Sequence, residues 1–123
     1  MSIRFALASS SGITIDEHFG EASTFYIYDK EEKTVDFREK RVCRCSNEHS
    51  QESFDRKIEV ITDCKALFVF RIGQYAAQHV LEKGIRVFEA PYPVDTVLRQ
   101  IELGKIEFDS EKKVEEKNDS GNE

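Results

Sequence analysis

The chain has 123 residues, 39% of them apolar, and a formal net charge of −6. That length suffices for one domain around one core. The acidic balance argues against a nucleic-acid partner, whose affinity rests on a positive surface. No run of about 18 apolar residues occurs, so no membrane span is expected. The opening MSIRFALASSSG is too short and wrongly flanked for a signal peptide. Three cysteines, an odd set without a secretory signal, point to a reduced, cytoplasmic compartment.

The apolar shortfall is local. In residues 109–123 the only apolar side chain is Val114, among three lysines and six acidic residues. This stretch carries a net −3, which leaves −3 for residues 1–108. A single domain over 1–108 is therefore expected. The acidic tail 109–123 buries too little apolar surface to offset its ordering entropy.

Ile3, Phe5 and Leu7 alternate with Arg4, Ala6 and Ala8, a strand with small residues on one face. Ser9-Ser10-Ser11-Gly12 ends it. Residues 24–28 (TFYIY) are aromatic and β-branched, a second strand. The polar turn at 29–33 leads to a third, opened by Val35 and Phe37, so the two form a hairpin. Phe54, Ile58 and Ile61 recur at helical spacing over 51–61. Residues 66–70 (ALFVF) are continuously apolar, as in a strand covered on both faces. Residues 74–83 predict a helix with Ala77, Val80 and Leu81 inward, stopped by Gly84. A short strand follows over 85–88. Val94, Val97, Leu98 and Ile101 then mark a last helix, stopped by Gly104.

The order is β-β-β-α-β-α-β-α. An antiparallel meander followed by two helix-linked parallel strands is the layout of a ribonuclease-H-like α/β fold, a five-stranded mixed sheet with strand one central. Ligands of such open sheets lie beyond the carboxyl ends of the parallel strands, where strand order reverses. Here those ends are residues 9–12, 71–73 and 89–90. Neither an internal repeat nor a second domain is evident.

Three constellations carry chemistry. Residues 12–20 (GITIDEHFG) place His18 beside Asp16 and Glu17 in a loop after strand one. Neutral imidazole ligates iron and other transition metals, and a neighbouring carboxylate can fix its tautomer. The plainer alternative is a loop histidine bonded to backbone, with Phe19 plugging the core. The second is Cys43-Arg44-Cys45, with His49 four residues on. Thiolates suit iron-sulfur clusters, zinc and copper(I), although a closed site needs four ligands. The alternative is a pair of plain thiols with Cys43 facing inward. Cys64, between a helix and a buried strand, reads as structural. The third is Arg71-Ile72-Gly73-Gln74, a turn feeding a helix N-terminus and so a potential anion site. An ordinary turn with an exposed arginine is the competing reading. His79 reads as a surface residue.

SSSG followed by DEHFGEA, then an aromatic strand ending at Tyr28-Asp29, resembles the N-terminal signature of the dinitrogenase iron-molybdenum cofactor biosynthesis family. That family includes NifX-like proteins and the C-terminal domain of NifB-like proteins. ITDCKALFVFRIGQYAAQHVLEKGIRVFEA resembles the family's second block, and the closing Leu103-Gly104-Lys105-Ile106 fits its last helix. The resemblance covers about residues 1–108. It implies a ribonuclease-H-like fold and a nitrogen-fixation-like role in metallocofactor biosynthesis. It further implies non-enzymatic binding or carriage of an iron-sulfur or iron-molybdenum cluster or its precursor, with cofactor-assembly proteins as partners. Carried onto this chain, the family's motif histidine is His18, whereas Arg71 is not part of the family's pattern. Together with the strand-end turns read above, the candidate cluster-binding residues are Ser10, Gly12, His18, Phe19, Arg71 and Gly73. His18, Cys43 and Cys45 are the candidate metal ligands. A protein-interaction or regulatory module that binds no metal itself is the alternative.

A nuclease is disfavoured. Two-metal hydrolysis needs clustered carboxylates, and strand one (IRFALAS) has none. Glu52, Asp55 and Glu59 read as the solvated face of the first helix. No P-loop, GxGxxG or Ser-His-Asp order occurs.

Overall fold

The computed structural model describes residues 2–44 and 51–106. The strands are β1 (Ile3–Ala8), β2 (Thr24–Lys30), β3 (Val35–Val42), β4 (Ala66–Val69) and β5 (Arg86–Glu89). The helices are α1 (Gln51–Val60), α2 (Gln74–Glu82) and α3 (Val94–Glu102), with a 3-10 turn at Phe19–Glu21. The five strands form one sheet in the order β3-β2-β1-β4-β5. β2 runs antiparallel to β1 and to β3, while β4 is parallel to β1 and β5 parallel to β4. This is the expected mixed sheet with β1 at its centre.

Alternation along β1 divides the core. Ala6 and Ala8 join Phe25, Ile27, Leu67 and Val69 under Phe54, Ile58 and Ile61 of the α1 segment and Ala76 and Val80 of α2. Phe5 and Leu7 join Ala66 and Phe68 under Val94, Val97 and Ile101 of α3. The small residues of β1 thus face the two-helix layer and the large ones face α3. Every residue of β4 is buried, as its unbroken apolar run predicts for a strand covered on both sides. β3 is an edge strand, and its exposed Arg-Glu-Lys series discourages further pairing.

The inward phase of α2 differs from the expected one. Ala76 and Val80 are its buried residues, whereas Leu81 is 54% exposed. With so few large apolar residues in nine positions, the stripe is set by one valine and one alanine, and Ile85 beyond the helix supplies further buried area. Gly84 and Gly104 end their helices at φ +82° and +75°, the left-handed conformation that glycine adopts at little cost.

Arg4, near the amino end of β1, bonds Asp29 at 2.8 Å and Asp63 at 2.7 Å. Arg41 of β3 grips the same Asp63 with two nitrogens, at 2.7 and 2.9 Å, and also donates to the Val60 carbonyl. Asp63 therefore ties β1 and β3 to the turn ahead of β4, and Arg4 links the cluster to Asp29 of β2. The two guanidinium groups hold its carboxyl far below the usual carboxylate range. The acidic tail 109–123, Cys45 and His49 lie outside the described residues.

Candidate functional site

The segment between β1 and β2 is pinned at three places. Near β1, the Ser9 hydroxyl accepts from the Gly12 amide at 2.8 Å and donates to the Thr14 carbonyl at 2.6 Å. On the α3 side, the Ile15 amide donates to Tyr92 and the Val94 amide to Ile13. On the α2 side, the Phe19 amide donates to the Arg71 carbonyl at 2.9 Å and the Phe70 amide to the Glu17 carbonyl at 3.0 Å. These last two bonds accompany a parallel bridge between His18 and Arg71. Buried Ile15 and Phe19 anchor the segment in the two opposite cores. The segment thus crosses the carboxyl end of the sheet and leaves the His18 side chain exposed beside the start of α2.

A cleft of about 620 Å³ opens there, lined by His18, Phe19, Gly20, Phe54, Arg71, Ile72, Gly73, Gln74, Tyr75 and Ala76. The volume falls in the range of small-molecule sites. Its walls differ in character. The His18 ring packs on Phe70, with centroids 5.2 Å apart, and the Arg71 guanidinium lies 5.5 Å from the same ring's centroid. Phe54 and Tyr75, 6.0 Å apart, continue the apolar surface, and His79 meets Tyr75 edge-on at 4.7 Å. α2 begins at Gln74, so the N–H groups of its first turn lie before the first intrahelical bond, from Ala77 to Gly73. An imidazole, a guanidinium and the positive end of a helix therefore meet over aromatic walls. A second hollow of about 370 Å³, on the α3 side, is lined by Phe68, Phe88, Glu89, Ala90, Val97 and Ile106 among others, with neither histidine nor arginine.

The structure thus gathers His18, Phe19, Arg71 and Gly73 around one cleft. Ser10 and Gly12 do not line it. The Ser10 hydroxyl and amide both donate to Asp16, at 2.7 and 2.9 Å, which closes the loop on itself. Gly12, at φ +83°, lies so close to Tyr26 that a Cβ would stand 2.8 Å from its ring. Both residues shape the loop. The expectation that Asp16 or Glu17 orients the His18 ring also needs correction. Asp16 is taken by Ser10, and Glu17 accepts from the Ser23 amide at 3.4 Å. Burial raises the Glu17 carboxyl, opposed by the Ser23 and Thr24 amides. Phe70 supports the imidazole instead. Gly73 has φ −71° and open space around its Cβ position, so the backbone does not demand glycine at this turn.

Cys43 is buried at 5% exposure beyond the end of β3, and its amide donates to Ser23. Its sulfur is disulfide-bonded, where the sequence reading expected thiols. A disulfide sulfur is not a thiolate, so Cys43 offers itself to a metal only once reduced. Cys64 is buried, and burial pushes its thiol up to about 12, as befits a structural cysteine. Among the described residues no group of three or more His, Cys, Asp or Glu side chains is placed to hold a metal ion. None of the helices among them is long and apolar enough to cross a membrane.

Three cleft features escaped the sequence reading. Phe70 reads as the last residue of a strand, yet it lies just past β4 and carries His18 and Arg71. Glu89 reads as a strand end, yet its carboxylate reaches the Ile72 amide at 3.0 Å and Arg71 at 3.6 Å. Tyr75 reads as one more residue of a helix and proves to line the cleft. The available signal was position: each sits at the carboxyl end of a parallel strand or at the helix start that follows.

The family model for the dinitrogenase iron-molybdenum cofactor matches residues 1–104. The chain belongs to that family. It is 32% identical over 87 residues to the protein NifY of Azotobacter vinelandii, an alignment covering 68% of this chain and 34% of NifY. To NifX of Klebsiella pneumoniae it is 29% identical over 104 residues, covering 83% of this chain and 67% of NifX. The chain thus spans only about a third of that NifY. Among solved structures, the apo form of the orange protein from Desulfovibrio gigas superposes with a TM-score of 0.64 at 18% identity. That match covers 85% of this chain and 91% of the other, and at this identity it speaks for the fold. The family and the α/β architecture expected from the sequence are both found.

Proposed function

We propose that the cleft at the start of α2 binds an iron-molybdenum or iron-sulfur cluster, or its precursor, as cargo during metallocofactor assembly, and passes it on without chemical change. The observation that carries this reading is the His18–Arg71 bridge. It fixes an exposed imidazole beside a guanidinium at the mouth of a cleft lying where open α/β sheets bind ligands. Membership of a family named for the iron-molybdenum cofactor supports it.

In this proposal His18 is the principal metal ligand, and Arg71 with the first turn of α2 stabilises the negative charge of a thiolate- or carboxylate-bearing cluster. Cargo that brings most of its own ligands needs few from its carrier. One imidazole is strong enough to retain it and weak enough to release it. Cys43, once reduced, and Cys45 would be auxiliary anchors that slow exchange. The partners are the donor and acceptor proteins of cofactor assembly, in a cytoplasmic setting. The strand order β3-β2-β1-β4-β5, with β2 antiparallel to the other four strands, supports placing the fold in the ribonuclease-H-like class.

The test is anaerobic loading of the full chain with iron and sulfide, followed by visible absorption and iron content per chain. His18→Ala is expected to lose most of the bound iron while its thermal midpoint stays within a degree or two of the parent's, because an exposed ring buries little core area. Equal loading of His18→Ala and the parent, with an empty Cys43→Ser/Cys45→Ser variant, would transfer the site to the thiolates. A parent chain that remains colourless and binds only assembly proteins would be an interaction module.

A further inference from the structure

Glu89 ends β5 opposite Val69 of β4, which brings its carboxylate to the turn before α2. One oxygen accepts from the Ile72 amide at 3.0 Å and the other lies 3.6 Å from the Arg71 guanidinium. An amide and a guanidinium converging beside a helix start are what an anion seeks. Here the chain's own carboxylate meets both. The contact is loose in a telling way. The Arg71 and Glu89 side chains are 57% and 42% exposed, so water can take over from either partner, and such a pair holds weakly. By contrast Arg41, at 21% exposure, closes on Asp63 with two nitrogens.

We propose that Glu89, which stands behind the cleft wall, is the internal counter-anion of Arg71, a carboxylate that an anionic ligand in the cleft must displace from Arg71 and the Ile72 amide in order to bind. The assignment rests on the cleft being the binding site and names what that site selects. A singly charged ligand merely replaces Glu89 in kind and gains little. A multiply charged one outcompetes it, and the freed carboxylate moves into water. When the ligand leaves, Glu89 satisfies the amide again, which favours release. Glu89 is thus a specificity-determining residue that acts through Arg71.

The experiment titrates the full chain with molybdate, a tetrahedral dianion, by calorimetry, in the parent, Glu89→Gln, Arg71→Gln and the double variant. Glu89→Gln keeps size and hydrogen bonding but removes the charge. It should bind molybdate about two- to fivefold more tightly, the range set by an exposed ion pair. Arg71→Gln should bind more weakly, and adding Glu89→Gln to it should recover less than the single change gains. Weaker or unchanged binding by Glu89→Gln would show that Glu89 only braces Arg71 and would overturn the proposal, as would absence of molybdate binding by both parent and Glu89→Gln. Parallel iron and sulfide loading separates this from the cargo reading. If the parent fails to load while the molybdate pattern holds, the cluster assignment falls and Glu89 stands. If loading succeeds and the molybdate affinities do not move, Glu89 falls and the cluster assignment stands.

Discussion

The imidazole of His18 rests on the ring of Phe70, with centroids 5.2 Å apart and planes tilted by 49°. The same ring lies 5.5 Å from the Arg71 guanidinium. One half-buried aromatic side chain therefore packs against both His18 and Arg71. Phe70→Ala should lower cluster retention about tenfold, close to the effect of losing one ring's support for two ligand groups, at a stability cost of about 1–2 kcal/mol for a partly buried ring. Phe70→Tyr should restore retention. Iron content after gel filtration, measured beside the thermal midpoint, distinguishes this from simple unfolding. Retention that tracks stability across all three proteins would make Phe70 a packing residue only.

Gly12 and Gly73 stand near the two halves of the site and should respond in opposite ways. At Gly12, φ is +83° and a Cβ would meet Tyr26 at 2.8 Å. Gly12→Ala should therefore destabilise by about 2 kcal/mol, from left-handed strain and the displaced ring. Denaturant unfolding measures this directly. Adding Tyr26→Ala should relieve only the steric part.

At Gly73 an added side chain meets nothing within 4 Å and φ is −71°. Gly73→Val should cost no more than about 1 kcal/mol, chiefly as a poorer helix cap. It should nonetheless weaken cargo binding, because the new methyl groups stand at the rim of the cleft. Lost stability with unchanged iron uptake would leave Gly73 as a capping residue alone.

The layered α/β architecture was legible because periodicity alone encodes it. The alternation of Phe5 and Leu7 with Ala6 and Ala8, and the unbroken ALFV of β4, each state which faces are covered. The phase of α2 was less legible. Leu81 is more apolar than Ala76, yet it is 54% exposed while Ala76 is buried. At the site, His18 and Arg71 were visible as residue types in loops at strand ends. Their companions were not, because Phe70, Glu89 and Tyr75 take part through His18, Ile72 and Phe54, which are distant in the chain. The misassigned partners of His18 show the same limit. Asp16 and Glu17 are adjacent in sequence, but local backbone and hydroxyl donors claim them first.

Acid should loosen the fold through Asp63. Its carboxyl is held far below the usual range, first by the Arg41 guanidinium and then by Arg4. A group depressed in the folded state stabilises fully above its unfolded value, about pH 4, and the benefit fades as pH falls below that. Because the side chain is 41% exposed, solvent screening limits the contribution to about 1 kcal/mol. Asp63→Asn should be less stable than the parent at pH 7 by that amount, and the gap should narrow towards pH 2. A gap that stays constant across this range would show that the carboxylate charge contributes nothing.

β4 has only four residues, about 13 Å of extended chain, yet it separates Asp63 ahead of its amino end from Arg71 beyond its carboxyl end. Substitutions more than about 7–10 Å apart that share no partner generally combine additively. Changes at His18, Arg71 or Glu89 should therefore leave the effect of Asp63→Asn intact, and the reverse. Descendants of this domain can drift at the cleft end while the far end keeps them folded. That makes the carboxyl rim a place where the domain can change what it recognises without first acquiring spare stability.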